Sequence, residues 1–197
     1  MKRALFMVFL TAAMLTVASV ARATVLHLHA SLSGASEVPA NASPGTGFAN
    51  FDLDTVANTL TGHIEFSGLL GNTTAAHIHC CLPVPFATGV NAGVATLLPA
   101  FPAFPLGVKS GVDDFLLDLT LASSYNPAFV TLQGSLANAQ AAFIAGIIAG
   151  KTYLNIHSAS FGGGEIRGFI VPEPATLAIL GLGLAALAFG RRNRRAQ

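Results

Sequence analysis

From residue 24 onward, apolar and polar positions alternate in short runs, each closed by a cluster of turn-forming residues. Thr24–Ser33 (TVLHLHASLS), Thr46–Leu53 (TGFANFDL) and Thr59–Phe66 (TLTGHIEF) carry the pattern most clearly. In the second run Ala49, Phe51 and Leu53 fall on one face, with Phe48, Asn50 and Asp52 on the other. In the third, Leu60, Gly62, Ile64 and Phe66 share a face. A period of two is the mark of a half-buried strand. Asp54-Thr55-Val56-Ala57-Asn58 predicts a tight connection between those two strands. Further strands are expected over Thr74–Cys80, Val112–Leu121, Ala128–Gln133, Tyr153–His157 and Glu165–Val171.

Two segments break the alternation. Ser135–Ala149 (SLANAQAAFIAGIIA) places Leu136, Ala139, Phe143 and Ile147 at helical spacing and stops at Gly150, which predicts one inserted amphipathic helix. Leu82–Gly107 contains Pro83, Pro85, Pro99, Pro102 and Pro105, too many for a central strand, and is expected to be a long surface loop. The whole pattern predicts an all-β domain, a sandwich or barrel of many short strands, with one inserted short helix.

The two ends do not fit that domain. Lys2-Arg3, an uncharged apolar run to Ala21 and the small-x-small triplet Ala21-Arg22-Ala23 predict a signal peptide over residues 1–23, cut by signal peptidase. An uncleaved anchor is the alternative. At the other end Pro172-Glu173-Pro174 precedes an apolar run from Ala175 to Gly190, followed by Arg191, Arg192, Arg194 and Arg195. At about 16 residues the run sits at or just below spanning length, and its basic flank is expected on the cytoplasmic side. This order resembles the PEP-CTERM sorting signal of Gram-negative bacteria. The resemblance implies transient inner-membrane anchoring through 175–190, cutting by an exosortase, and delivery to the cell surface or extracellular matrix. An ordinary C-terminal membrane anchor is the alternative.

Setting the ends aside changes the charge. The full chain has a formal charge of +1, yet seven of its ten Lys and Arg residues lie in the terminal segments. Between Thr24 and Val171, Lys109, Lys151 and Arg167 face eight Asp and Glu residues, a balance of −5. An acidic, lysine-poor domain is a poor partner for nucleic acid. The 148 residues from 24 to 171 are one domain's worth.

Six stretches recur in an order that resembles the CHRD domain: Ser31–Pro39 (SLSGASEVP), Gly47–Phe51, Ser67-Gly68-Leu69, Thr74–His79, Tyr153–His157 and Gly164–Gly168 (GEIRG). The similarity runs from about Leu26 to Val171. It implies an immunoglobulin-like or Greek-key β-barrel or sandwich in an exported protein. The binding partners of animal relatives do not carry over on likeness of fold.

Candidate chemistry centres on Ala75–Cys81 (AAHIHCC). Side chains two apart on a strand face the same way, so His77 and His79 point to one side. Such a pair can chelate one metal, as His-x-His does in Cu/Zn superoxide dismutase, and His157 is the candidate third ligand. Three imidazoles suit Zn or Cu, with Glu165 orienting an imidazole from behind or pairing with Arg167. Alternatively the histidines hydrogen-bond backbone carbonyls in a polar structural cluster. In an oxidising compartment Cys80-Cys81 has three fates: a bridge between neighbours, an intermolecular bridge, or Cys81 as a metal ligand. His27 and His29 form a second His-x-His on exposed alternate positions of the first strand. Asp114 and Asp118 share a solvated face with Leu116, and Gly162-Gly163-Gly164 reads as a turn. No nucleophile elbow and no phosphate-cradling loop is present. The residues favour a non-catalytic binding or structural module acting on an extracellular ligand or matrix polymer. A metal-dependent redox or hydrolytic activity is the alternative.

Overall fold

The structure is a computed structural model and describes residues 25–173. The predicted signal peptide over 1–23 and the hydrophobic helix over 175–190 lie outside the described residues, as does Pro174 of the sorting motif. Among the described residues no helix is long and apolar enough to cross a membrane.

The domain is mostly β. Its strands are β1 (Val25–Ser33), β2 (Thr46–Asp54), β3 (Thr59–Ser67), β4 (Thr73–His79), β5 (Gly111–Asp118), β6 (Tyr153–Ser158), β7 (Ile166–Phe169) and the short β8 (Val171–Pro172). They form one antiparallel sheet in the order β4-β6-β7-β1-β2-β3-β5, with β8 added to β1, and the sheet curls into a half-barrel. Between β2 and β3 the chain turns as expected. The Asp54 carboxylate accepts from the amides of Val56 and Ala57 at 2.8 Å, and Asn58 adopts the left-handed conformation, φ 56°.

Alternation places the core. Leu28, Ala30 and Leu32 of β1 line up with Ala49, Phe51 and Leu53 of β2, then with Leu60, Ile64 and Phe66 of β3 and Phe115 and Leu117 of β5. The opposite face of β5 carries Val112, Asp114 and Leu116 and is solvated.

Two expectations are corrected. Ala128–Gln133 is not a strand but most of helix α1 (Pro127–Gln133), so the domain has two short helices, with α2 at Leu136–Ile148. The signal lies at Asn126-Pro127: the asparagine side chain caps the Ala128 amide at 3.0 Å and proline occupies the first turn. Gly134, φ 83°, ends that helix, and the Ser135 hydroxyl caps the next by accepting from the Asn138 amide. The proline-rich segment 82–107 is not only a surface loop. Its prolines keep it out of the main ladder, but the apolar residues between them still bury: Ala95, Ala100, Phe101 and Phe104 enter the core. The Phe101 ring stacks on Phe115 at 4.1 Å and Phe104 on Phe66 at 5.4 Å. With Phe129, Phe143 and Ile147 from the helices, this segment fills the open side of the curled sheet.

Candidate metal centre

The β4–β6–β7 end of the sheet is buried on both faces. Ala76 and Ile78 of β4, Leu154 and Ile156 of β6 and Ile166 of β7 belong to the core. The other face is polar. Registry places His77 opposite Asn155 and then Arg167, His79 opposite Tyr153 and then Phe169, and Ala75 opposite His157. His77 and His79 therefore share a face, and strand pairing brings His157 beside them.

The three imidazoles meet. Ring centroids of His77 and His79 are 4.9 Å apart, those of His77 and His157 4.6 Å, and those of His79 and His157 6.3 Å. One nitrogen from each lies within 4.8 Å of the other two, and this is the cluster of metal-ligand character among the described residues. In a tetrahedral site an ion about 2.1 Å from each nitrogen sets the nitrogens about 3.4 Å apart, so a gap as wide as 4.8 Å would have to close by about 1.4 Å for all three to hold one ion.

Backbone carbonyls hold two of the rings. His79 Nδ1 donates to the Ala92 carbonyl at 2.8 Å and His157 Nδ1 donates to the Gly162 carbonyl at 2.9 Å. A carbonyl only accepts, so Nδ1 carries the proton in both rings and Nε2 presents its lone pair. The glycine turn at 162–164 thus has a role, supplying one of those acceptors. His79 Nε2, His157 Nε2 and His77 Nδ1 are shielded from solvent and have no hydrogen-bond partner.

Burial is the main force on their protonation. It pushes His77 down to about 3, helped by the neighbouring His79 and His157. It pushes His79 down to about 4 against the Ala92 carbonyl, with His157 and Arg167 adding to the fall. His157 is lowered by burial as well, opposed by its bond to Gly162. All three are neutral at pH 7, the state a metal requires.

The supporting residues differ from the sequence expectation. Glu165 reaches none of the histidines and does not pair with Arg167. Its carboxylate accepts from the hydroxyls of Ser43 and Ser158 and from the amides of Leu70 and Gly71, tying two loops to the sheet. Burial acts to raise its pKa, and these bonds together hold it below its ordinary value. Arg167 is closer to the cluster, through a stack: its guanidinium lies 4.2 Å over the Tyr153 ring, which is parallel to His79 at 4.6 Å. Tyr153, Asn155 and His157 alternate on β6, so their common face was legible from the sequence. Glu37 was not. It arrives from the turn after β1, is 6% exposed, and leaves Oε1 unpartnered. Burial raises its carboxyl to about 7 despite the opposing pull of Arg167.

Cys80 and Cys81 are bonded to each other and lie against helix α2, their sulfurs near the Ala142 carbonyl. Gly146 leaves room for them; a Cβ there would come within 2.5 Å of the Cys80 sulfur. Cys81 is not part of the histidine cluster. His27 pairs with Asp52 and His29 stacks on Phe48, so the second His-x-His does not converge on a site.

Val171 and Pro172 of the sorting motif form β8, paired with His29 and Leu28, and the Glu173 amide donates to the His27 carbonyl. The motif therefore begins flush against the folded domain.

A curled antiparallel sheet with a buried histidine cluster at one end defines a small β domain with a candidate metal centre. The family model for the CHRD domain matches residues 28–170, and the chain belongs to that family. The PEP-CTERM protein-sorting motif matches residues 171–195. A sorting signal of this kind implies an exported protein with a membrane-anchored intermediate that is processed by an exosortase. No curated protein and no solved structure matches the chain.

Proposed function

We infer that the chain is a cell-surface or extracellular-matrix module of a Gram-negative bacterium that holds a zinc or copper ion through His77, His79 and His157. One observation carries this: three neutral imidazoles converge with solvent-shielded nitrogens that have no other partner. A buried polar atom left unpaired is destabilising, and a metal ion would satisfy three at once. Zn and Cu both accept imidazole donors, and neither needs a carboxylate here. The same shielding favours a binding or structural ion over turnover, since a catalytic ion needs an open position that substrate can reach.

The route outward follows from the two ends. Signal peptidase would remove residues 1–23, residues 175–190 would anchor the intermediate in the inner membrane, and the exosortase would cut near Pro172-Glu173-Pro174. The domain would then act on an extracellular ligand or matrix polymer, with no role for nucleic acid.

Metal analysis of the purified protein tests the centre. About one zinc or copper per chain is expected, removed by chelator and absent from the His77→Ala/His79→Ala variant. A protein that takes up neither ion, and whose thermal midpoint neither ion shifts, would falsify the assignment.

A further inference from the structure

Arg167 is among the largest fully buried side chains of the domain, 1% exposed, and it makes no ion pair. No carboxylate among the described residues lies within ion-pairing distance of it. Its Nη1 donates to Asn91 Oδ1 at 2.8 Å and its Nη2 to the Val90 carbonyl at 3.4 Å, both neutral acceptors. The rings of Tyr153 and Phe169 flank it at 4.2 and 5.8 Å. A buried cation is normally paired, because neutral acceptors do not replace the water it has lost. A guanidinium has five N–H donors, and the neutral partners it has here, the Tyr153 hydroxyl among them, bring no negative charge to it.

Arg167 is one of the residues lining a cavity of about 440 Å³ between the turn after β1 and the Thr88-Gly89 loop. Val38, Pro39, Ala40 and Phe169 give it apolar walls, and Glu37 lines it together with Arg167. Glu37 Oε1 is buried and has no hydrogen-bond partner. It lies close to Gly164, where a Cβ would come within 2.6 Å of it and of the Asn155 amide nitrogen. The volume is that of a small-molecule site, and a single buried cation in an apolar chamber selects charge first and an apolar body second.

We propose that this cavity is a second ligand site, which binds a small carboxylic acid with an apolar body by pairing its carboxylate with Arg167 beside the Glu37 carboxyl. Tyr153 separates it from the histidine cluster, so the site stands apart from the metal and does not depend on it. Because burial retains the Glu37 proton up to about pH 7, that group does not repel the incoming carboxylate.

Isothermal titration of the purified full chain with sodium benzoate tests this, in chelator at about pH 6, where benzoate is ionised. Benzamide serves as the uncharged match. Saturable one-site binding of benzoate is expected, with benzamide weaker by about tenfold or more. His77→Ala/His79→Ala retains the binding. Arg167→Gln weakens it by about tenfold or more. Since loss of a buried arginine can unfold a domain, Thr88→Trp at the exposed mouth provides a second test. It narrows the cavity without touching the guanidinium and weakens binding at an unchanged thermal midpoint. The proposal is overturned by equal affinity for benzoate and benzamide, by no saturation up to about 10 mM, or by binding that survives in both Arg167→Gln and Thr88→Trp. Binding lost with the two histidines overturns it too, because the carboxylate would then be sitting on the metal.

Discussion

The same residue types occupy two parts of one sheet and behave in opposite ways. On the outer face of β3 and β5, His63 lies between two carboxylates, Nδ1 2.7 Å from Asp114 and Nε2 3.0 Å from Glu65, all in contact with water. Glu65 and then Asp114 raise its pKa. On the β4–β6–β7 face, burial lowers three histidines and leaves a nitrogen on each without a partner. Of the seven buried side-chain atoms lacking a partner among the described residues, five belong to this face or to Glu37 above it. An exposed ion pair has water as an alternative and needs no ligand. A buried, unpaired imidazole has none, and that makes it informative.

Removing a partner should therefore be costly on one side and cheap on the other. Glu165→Ala strips the acceptor from two hydroxyls and two amides in a fully buried site, so urea unfolding should show a loss of about 3–5 kcal/mol. A loss under about 1 kcal/mol would mean that water fills the gap and that the region is wetter than its burial suggests. His157→Ala comes next. Removing one of three ligands should weaken zinc or copper by more than about 100-fold in a competition titration, beyond the 10–100-fold that outer partners carry. An unchanged affinity would leave the ion elsewhere.

Smaller effects sharpen the contrast. In chelator, His77 and His79 have folded pKa values of about 3 and 4 against an ordinary 6.5. With the folded values depressed, the unfolded chain takes up protons first. Their contribution to stability is complete above about pH 6.5 and disappears as pH falls toward 3–4. Urea midpoints should fall across that window in the wild type and less steeply in His77→Gln/His79→Gln; parallel curves would contradict the burial argument. His63→Ala, by contrast, should change stability by less than about 1 kcal/mol, with metal content untouched.

How much of this could be read beforehand varies from element to element. β2 and β3 were legible almost residue by residue, because alternation is a local property and one face of each strand is solvated. Helix α2 was legible from its apolar spacing and from the glycine that follows it. Helix α1 carried an equally local signal, asparagine followed by proline, but its short apolar run also suits a strand. The 82–107 segment misleads for a different reason: proline forbids ladder bonds, which says nothing about whether the phenylalanines between prolines are buried.

By itself, then, the sequence determined an all-β domain followed by a C-terminal sorting motif, and it placed His77 and His79 on one side of one strand. Period two and terminal charge are written in neighbouring residues. Tertiary structure alone decided that β4 pairs with β6 in the register that sets His157 beside them. It alone decided that Glu165 turns away to fasten loops, and that Glu37 and Arg167 line one cavity. Those facts depend on which strands pair, and pairing is chosen by the burial of whole faces, which no local stretch of chain contains.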